Sequence, residues 1–450
     1  MKEIELTKSQ KRAYEALMNG ENVFLTGGAG TGKTTLITKF IQDVDPYCRN
    51  TLLAAPTGKA ALNLEIVAPD GTKIQGSTVH RLFKLKAAPV PEYKGTIPPI
   101  IHTADRIIID EISMMRMDLF EYVADVLMDE MFVREFEGRS LQIILVGDFF
   151  QLPPVLPDKA PEGMSDKEIL NKRYGGDVGK GYCFQCAAWE LLDIKKYELT
   201  EIMRQKGDDD FCEALNKIRI GDPTGIRYIN ENCDHSKMLP DRITLCGTNA
   251  KVDAINEAME RRSTNRKVTF QWDLDIKIPS NNIEKFLKNV PCSEYLTLWV
   301  GARVICIANC TSAMNGQTGE ITEINEDGVE VKWDNGITNT VTEYLWELNR
   351  QTAEKNEFGE FKLTTKTVLT ISQLPLKVAY AITIHRSQGT TYEAANIYTS
   401  TFETGQLYTA LSRCRTVSNM RLYQPIKSQD LIHDPKINDF YYGGENHEEN

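Results

Sequence analysis

The chain has 450 residues, 41% hydrophobic and 26% charged, long enough for more than one buried core, and its net charge of −11 argues against a simple basic coat for nucleic acid. No run of 18 apolar residues occurs and the opening residues lack the apolar core of a signal peptide, so a cytoplasmic protein with no membrane partner is expected. Ten cysteines without a repeating spacing fit reduced thiols, and Cys183-x-x-Cys186 lacks the second half that a tetrahedral zinc site needs.

Residues 22–26 read as a short buried strand, and a helical pattern opens at Lys33, with Leu36, Ile37, Phe40, Ile41 and Val44 on one face. Between them runs Gly27-Gly28-Ala29-Gly30-Thr31-Gly32-Lys33-Thr34, a match to G-x-x-x-x-G-K-[ST] in the strand-to-helix context that this motif requires. Glycines let successive backbone N–H groups turn inward around phosphate oxygens where a Cβ would clash, and the helix N-terminus adds its positive dipole end. Lys33 supplies a mobile full charge, and Thr34 offers a hydroxyl to Mg2+.

Further along, β-like runs at Thr51–Ala55, Arg106–Ile109 and 141–146 alternate with helical patterns, which predicts an α/β fold with a parallel sheet covered on both faces. In such sheets ligands bind beyond the carboxyl ends of the strands, and these ends carry Pro56-Thr57-Gly58-Lys59, Asp110-Glu111 and Gly147-Asp148. Behind a phosphate loop, Asp110 is expected to hold the metal and Glu111 to orient or deprotonate the attacking water. Gln151 follows the third strand as a neutral side chain able to donate to a γ-phosphate and accept from water. The proline-rich stretch 86–99 reads as a projecting loop or hairpin.

A second α/β block begins near Tyr197, with a strand at 243–246 and a helix over about 250–261, and resumes after Gln373 with strands at 395–399 and 420–423. Arg204 and Arg413 fall in this block, and a planar guanidinium reaching across a cleft stabilises charge developing on phosphoryl oxygens. Between its halves, over about 263–370, the texture alternates and turns at Asn315-Gly316, Asp327-Gly328 and Asn335-Gly336. A small β barrel inserted into the second α/β domain is expected there, with strands at 304–308, 321–325 and 329–333. The acidic end, 443–450, reads as a frayed terminus.

Eight strings stand in order: Leu6-Thr7-Lys8-Ser9-Gln10, the phosphate loop, Ala54-Ala55-Pro56-Thr57-Gly58-Lys59-Ala60-Ala61, Ser77-Thr78-Val79-His80-Arg81-Leu82-Phe83, Asp110-Glu111-Ile112-Ser113, Gly147-Asp148-Phe149-Phe150-Gln151-Leu152-Pro153-Pro154-Val155, Ala379-Tyr380-Ala381-Ile382-Thr383-Ile384-His385-Arg386-Ser387-Gln388-Gly389-Thr390-Thr391, and Gly405-Gln406-Leu407-Tyr408-Thr409-Ala410-Leu411-Ser412-Arg413-Cys414-Arg415. With them the chain resembles a superfamily 1 helicase of the 5′-to-3′ group, which contains the petite-integration-frequency (Pif-type) DNA helicases, the phage helicase Dda and the RecD subunit. It departs from the Pif-type pattern where that branch has a proline-phenylalanine-glycine-glycine element and this chain has Arg134-Glu135-Phe136-Glu137-Gly138-Arg139-Ser140.

The resemblance implies two RecA-like parallel-sheet domains with a small β-barrel insertion in the second. Residues 1–195 would form the first, with a strand-separating wedge somewhere within 62–100. Residues 196–262 and 371–430 would form the second, 263–370 its insertion, and 431–450 a C-terminal tail. It further implies ATP and Mg2+ as cofactors, single-stranded and forked duplex DNA as partners, a monomer in solution, and stepping 5′ to 3′ with duplex unwound ahead, in replication, repair, recombination or telomere maintenance.

Residue by residue, the resemblance assigns Gln10 to the adenine edge. Gly28, Ala29, Gly30, Thr31, Gly32, Lys33, Thr34 and Thr35 fall to the nucleotide, and Gly389 to the γ-phosphate through its backbone. Thr34 and Asp110 go to the metal, and Lys33, Glu111, Gln151, Arg204 and Arg413 to catalysis, the two arginines as fingers from the second domain. Thr57, Thr78, His80, Thr383 and His385 lie in motifs that contact single-stranded DNA. Two alternatives stand beside this reading: an RNA-directed superfamily 1 helicase, which shares the same motor, and, from another class, a nucleotide switch or DNA-binding assembly factor that uses ATP to grip DNA without moving.

Overall fold

The computed structural model describes residues 5–443 apart from 72, 86–89, 158–162, 202–207, 236–241, 279–282, 284–286, 288–289, 309, 314–315 and 356–360. The chain divides into two compact units, Met1–Gly247 with Thr383–Asn450, and Thr248–Ile382.

In the first unit six strands run parallel in the spatial order Ser77–Thr78, Thr51–Ala55, Arg106–Ile109, Gln142–Val146, Val23–Gly27 and Lys195–Leu199. The four central strands are largely apolar because both faces are covered, with successive side chains going to opposite cores, whereas the edge strands Ser77–Thr78 and Lys195–Leu199 are largely polar. Val23, Leu25, Ile108 and Ile144 join Leu36, Ile37, Phe40 and Ile41 of the helix Lys33–Val44 on one side. Phe24, Ile107, Ile109, Ile143 and Leu145 join Phe120, Val123 and Leu127 of the helix Met117–Phe136 on the other. A second, smaller parallel set places Ala395–Ile397 between Thr244–Cys246 and Met420–Leu422. These two sheets are the RecA-like pair that the motif order implied.

Within the stretch 431–450 lies a helix, Pro435–Tyr442, which starts with a proline at its first turn and the Asp434 side chain accepting from the Lys436 N–H at 3.1 Å. Its aromatic face is part of the first domain's core. The Phe440 ring stacks on Phe184 with centroids 4.3 Å apart, and Tyr441 lies 4.8 Å from Phe150. The Tyr441 hydroxyl is 2.6 Å from the Thr26 hydroxyl and accepts from the Phe149 N–H at 3.3 Å, so the C-terminal helix is tied to the strand that feeds the phosphate loop.

The second unit opens with the helix Asn249–Arg262, capped by Thr248, and continues as antiparallel β structure. Five strands pair in the order Thr338–Val341, Gly328–Trp333, Thr318–Asn325, Arg303–Cys306 and Leu376–Val378, over a core of Trp299, Val304, Ile321, Val329, Val331 and Trp333. A long hairpin, Tyr344–Lys355 with Phe361–Gln373, carries Asp273–Ile276 along its second strand. The antiparallel texture matches the expectation, and among the described residues the strand pairings do not themselves close into a barrel. In the stretch 62–100 the small hairpin Glu65–Val67 with Lys73–Gln75 precedes the sheet strand Ser77–Thr78 and the short helix Val79–Leu82; residues 90–99 contain no strand.

Candidate functional site

The phosphate loop begins where the buried strand Val23–Gly27 ends and closes at the first turn of Lys33–Val44. Gly32 caps that helix with φ +86°, a backbone conformation that favours glycine, and a Cβ there would meet the Gln10 amide nitrogen at 2.6 Å and force that side chain to shift. Gln10 is held against the back of the loop. Its Oε1 accepts from the Thr7 N–H at 3.0 Å, completing a capping box, and its Nε2 donates to the Thr31 carbonyl at 3.0 Å. The Thr31 hydroxyl turns inward to donate to the Gly28 carbonyl at 2.9 Å. The Lys33 ammonium donates to the Gly27 and Gly28 carbonyls at 2.6 and 3.1 Å, and burial lowers its pKa against the pull of Asp148, Glu111 and Asp110.

A cavity of about 290 Å³ opens over the loop. Ala29, Gly30, Gly32, Lys33, Thr34 and Thr35 line it on one side, Asp110, Glu111, Gly147 and Gln151 at the strand ends, and Gly389 and Arg413 from the far end of the sequence. Of the proposed nucleotide residues, Gln10, Gly28 and Thr31 support the loop from behind and do not line the cavity. Arg204 lies outside the described residues. Burial and the neighbouring Glu111 push the Asp110 carboxyl up to about 7, and its Oδ1 accepts from the Glu111 N–H at 2.8 Å. Glu111 itself sits at φ +52°, a left-handed conformation that costs a non-glycine residue about 1 kcal/mol or more and turns its side chain into the cleft. The Arg413 guanidinium is fixed in place by the Thr409 and Thr390 carbonyls at 2.8 and 3.3 Å and by the Ser412 hydroxyl at 2.9 Å. Among the described residues no three His, Cys, Asp or Glu side chains cluster as a metal cage. Asp110 and Thr34 both line the cavity, a sparse oxygen set that could hold a divalent cation only jointly with phosphate and water oxygens.

Three residues next to this cavity escaped the motif reading. Arg219, at the end of the helix Asp209–Arg219, donates to Asp148 from Nε at 3.2 Å and Nη2 at 3.0 Å and to Glu198 from Nη1 at 2.9 Å, with its guanidinium 4.5 Å above the Phe150 ring. Burial works against its charge, but Asp148, together with the Tyr408 and Tyr441 hydroxyls, holds its pKa well above the usual value. The Tyr408 hydroxyl accepts from the Ala29 N–H at 2.7 Å, inside the phosphate loop. Gln388 donates from Nε2 to Glu111 Oε2 at 2.9 Å. Tyr408 and Gln388 stand inside quoted strings, whereas Arg219 is a lone arginine on an amphipathic helix and carries no sequence signal.

The residues expected to meet DNA share one local design. Thr57, two residues beyond the strand Thr51–Ala55, and Thr78 and Thr383, each the last residue of a strand, cap short helices, their hydroxyls accepting from the N–H groups of Ala60, Arg81 and Arg386 at 3.2, 3.3 and 3.3 Å. A capping hydroxyl that accepts still has its own hydrogen to give, so each can donate to a phosphate oxygen while the helix start faces the same way. Thr57 and Thr78 follow adjacent parallel strands, with Ala55 registered opposite Thr78. Burial lowers the pKa of both His80 and His385, which leaves them neutral rings suited to sugar or base contact rather than to charge pairing.

A family model described as an AAA domain matches residues 10–157, the segment that holds the loop, both acids and Gln151. The chain is 30% identical to the ATP-dependent DNA helicase Pif1 of Bdellovibrio bacteriovorus, across 98% of this chain and 92% of that one. It belongs to the Pif1 helicase family. The Campylobacter jejuni member is 29% identical over 92% of this chain and 91% of its own length. The human family member is 27% identical over 97% of this chain, which spans 63% of that longer protein. Bacteroides Pif1 bound to single-stranded DNA superposes with a TM-score of 0.75 at 30% identity, covering 98% of this chain and 97% of that one. The Bacteroides complex with ADP-AlF3 and single-stranded DNA gives 0.74 at the same identity. The family therefore keeps its architecture here even though Arg134 stands in the segment that departs from the Pif-type pattern. Arg134 is buried, paired with Glu130 at 2.5 Å, and donates to the Ile101, His102 and Ser140 carbonyls. No helix among the described residues is long and apolar enough to cross a membrane.

Proposed function

We propose that this Pif1-family enzyme uses ATP and Mg2+ to step 5′ to 3′ along single-stranded DNA and to unwind duplex ahead of it. The observation that carries the reading is the cavity that unites the phosphate loop with Gly389 and Arg413, more than 350 residues away in sequence. The complexes of Bacteroides Pif1 with single-stranded DNA and ADP-AlF3 support the same ligands here.

In this reading the loop N–H groups and Lys33 receive the β- and γ-phosphates, Lys33 leaving the Gly27 and Gly28 carbonyls to do so. Thr34 and Asp110 hold the metal, which neutralises phosphate charge when bound. Glu111 takes the proton of the attacking water, Gln151 reports the γ-phosphate, and Gly389 offers it a backbone N–H. Arg413 stabilises the charge that develops on the phosphoryl oxygens, with Arg204 as the second finger. Gln10 has one amide hydrogen left over for the adenine edge. DNA lies along the capped helices of Thr57, Thr78 and Thr383 with His80 and His385 beside it, and the hairpin Glu65–Val67/Lys73–Gln75 is the wedge. Because the nucleotide site draws Gly389 and Arg413 from the second RecA-like domain and the rest of its lining from the first, binding and hydrolysis change their spacing, and the grip on DNA alternates between them.

Lys33→Ala removes the mobile charge without disturbing the fold-bearing glycines. DNA-stimulated ATP hydrolysis is expected to fall by about a hundredfold or more, the scale of losing a principal electrostatic contact. Near-normal turnover in that variant sinks the assignment.

A further inference from the structure

Gln388 stands between the two halves of the reaction. Five residues before it, Thr383 caps the short helix Ile384–Ser387, which carries His385 and belongs to the DNA-facing set; one residue after it, Gly389 lines the nucleotide cavity. Its side chain is 5% exposed, its Nε2 donates to Glu111 Oε2 at 2.9 Å, and among the described residues its Oε1 has no hydrogen-bond partner. A glutamine whose only side-chain bond goes to the base of a hydrolysis reaction, while its other polar atom is left unpartnered in a dry place, is not there for packing. An apolar side chain of the same size fills the space at lower cost.

We infer that Gln388 is a positioning residue that makes hydrolysis conditional on DNA, by holding Glu111 out of action until DNA engages the helix Ile384–Ser387. The inference rests on Glu111 being the general base. An amide N–H on Oε2 occupies a lone pair that would take the water proton and fixes the rotamer of a side chain already set on a strained left-handed backbone. The tether to DNA is short. Ser387 is buried, with its hydroxyl on the Ile384 carbonyl at 2.7 Å, and the Gln388 N–H donates to the His385 carbonyl at 3.3 Å, so the turn from Thr383 to Gln388 moves as one piece. A displacement of about 1 Å where Thr383 and His385 take hold of the strand stretches a 2.9 Å bond past useful geometry and frees Glu111. On the other side Arg413 donates to the Thr390 carbonyl at 3.3 Å, so the same movement reaches the finger.

The test measures kcat and the KM for ATP with and without saturating single-stranded oligonucleotide, together with oligonucleotide affinity, for the unaltered enzyme, Gln388→Leu, Glu111→Gln and the double variant. Gln388→Leu is expected to raise DNA-free kcat about tenfold, the rate equivalent of about 1.4 kcal/mol, with the KM for ATP and the DNA affinity within about twofold. The ratio of DNA-stimulated to DNA-free turnover falls by the same factor. The double variant must be as inactive as Glu111→Gln, because the effect acts through that carboxylate. If Gln388→Leu does not fold, Gln388→Asn carries the test, since an amide one methylene shorter cannot reach Glu111. Unchanged or lowered DNA-free turnover overturns the proposal, as does a loss of DNA affinity that accounts for the whole effect. Full activity of Glu111→Gln would instead overturn the reading of the base, a separate outcome.

Discussion

A single buried ion pair shows how a side chain outside the recognised motifs, Arg219, holds one inside them, Asp148. Asp148 is fully buried in the strand-end segment that leads to Gln151, and Arg219 is its partner, 93% of whose surface is also out of water. Removing one member of a buried pair strands the other charge in a low dielectric, at a cost of about 3–5 kcal/mol, whereas replacing both by apolar groups costs far less. Arg219→Ala is therefore expected to lower the denaturation midpoint steeply. Arg219→Lys should recover only part of it, because an ammonium cannot match the paired bonds from Nε and Nη2 to one carboxylate. Asp148→Leu with Arg219→Met should be more stable than Arg219→Ala alone. Equal midpoints for Arg219→Ala and the unaltered chain in urea titrations would contradict the account.

At the scale of elements, strands and the loop-bearing helix were legible because their patterns are local. Thr51–Ala55 and Arg106–Ile109 are apolar runs ending in polar residues, and they appear with the expected limits. Lys33 does open a helix, and Leu36, Ile37, Phe40 and Ile41 form its buried face. The site was legible to the extent that its residues sit at strand ends, as Asp110, Glu111 and Gln151 do. What was hidden depends on contacts between distant segments. Nothing near Arg219 in sequence announces Asp148, and no local pattern marks Pro435–Tyr442 as part of a core built from Phe24, Phe149 and Trp189. The paired strands Tyr344–Lys355 and Phe361–Gln373 were missed for a different reason: polar residues such as Glu347, Asn349, Arg350 and Gln351 interrupt the alternation by which strands are read.

The C-terminal helix carries its own prediction. Ile437 and Tyr441 are buried, each worth about 1.5–3 kcal/mol of apolar burial, and truncation after Asp434 also uncovers the aromatic rings beneath them. The truncated chain is expected to unfold at markedly lower denaturant than the full chain. Tyr441→Phe, which loses only the hydroxyl bonds to Thr26 and Phe149, should cost about 1 kcal/mol. An unchanged urea midpoint for the truncated chain contradicts the packing described.

For the whole molecule, a net charge of −11 is compatible with a DNA-handling function if the contacts are local, and the proposed set is local: three capping hydroxyls, the starts of their helices and two imidazoles. The nucleotide cavity is likewise assembled from pieces that are far apart in sequence, which is why the proposed mechanism has ATP couple the two RecA-like domains. Directed stepping is the central claim, and forked duplexes carrying only a 5′ or only a 3′ single-stranded tail test it most directly. The account predicts ATP-dependent strand separation of the 5′-tailed duplex and none of the 3′-tailed one, with Lys33→Ala inactive on both. Unwinding from the 3′ tail alone, or ATP hydrolysis with no strand separation on either substrate, would contradict it.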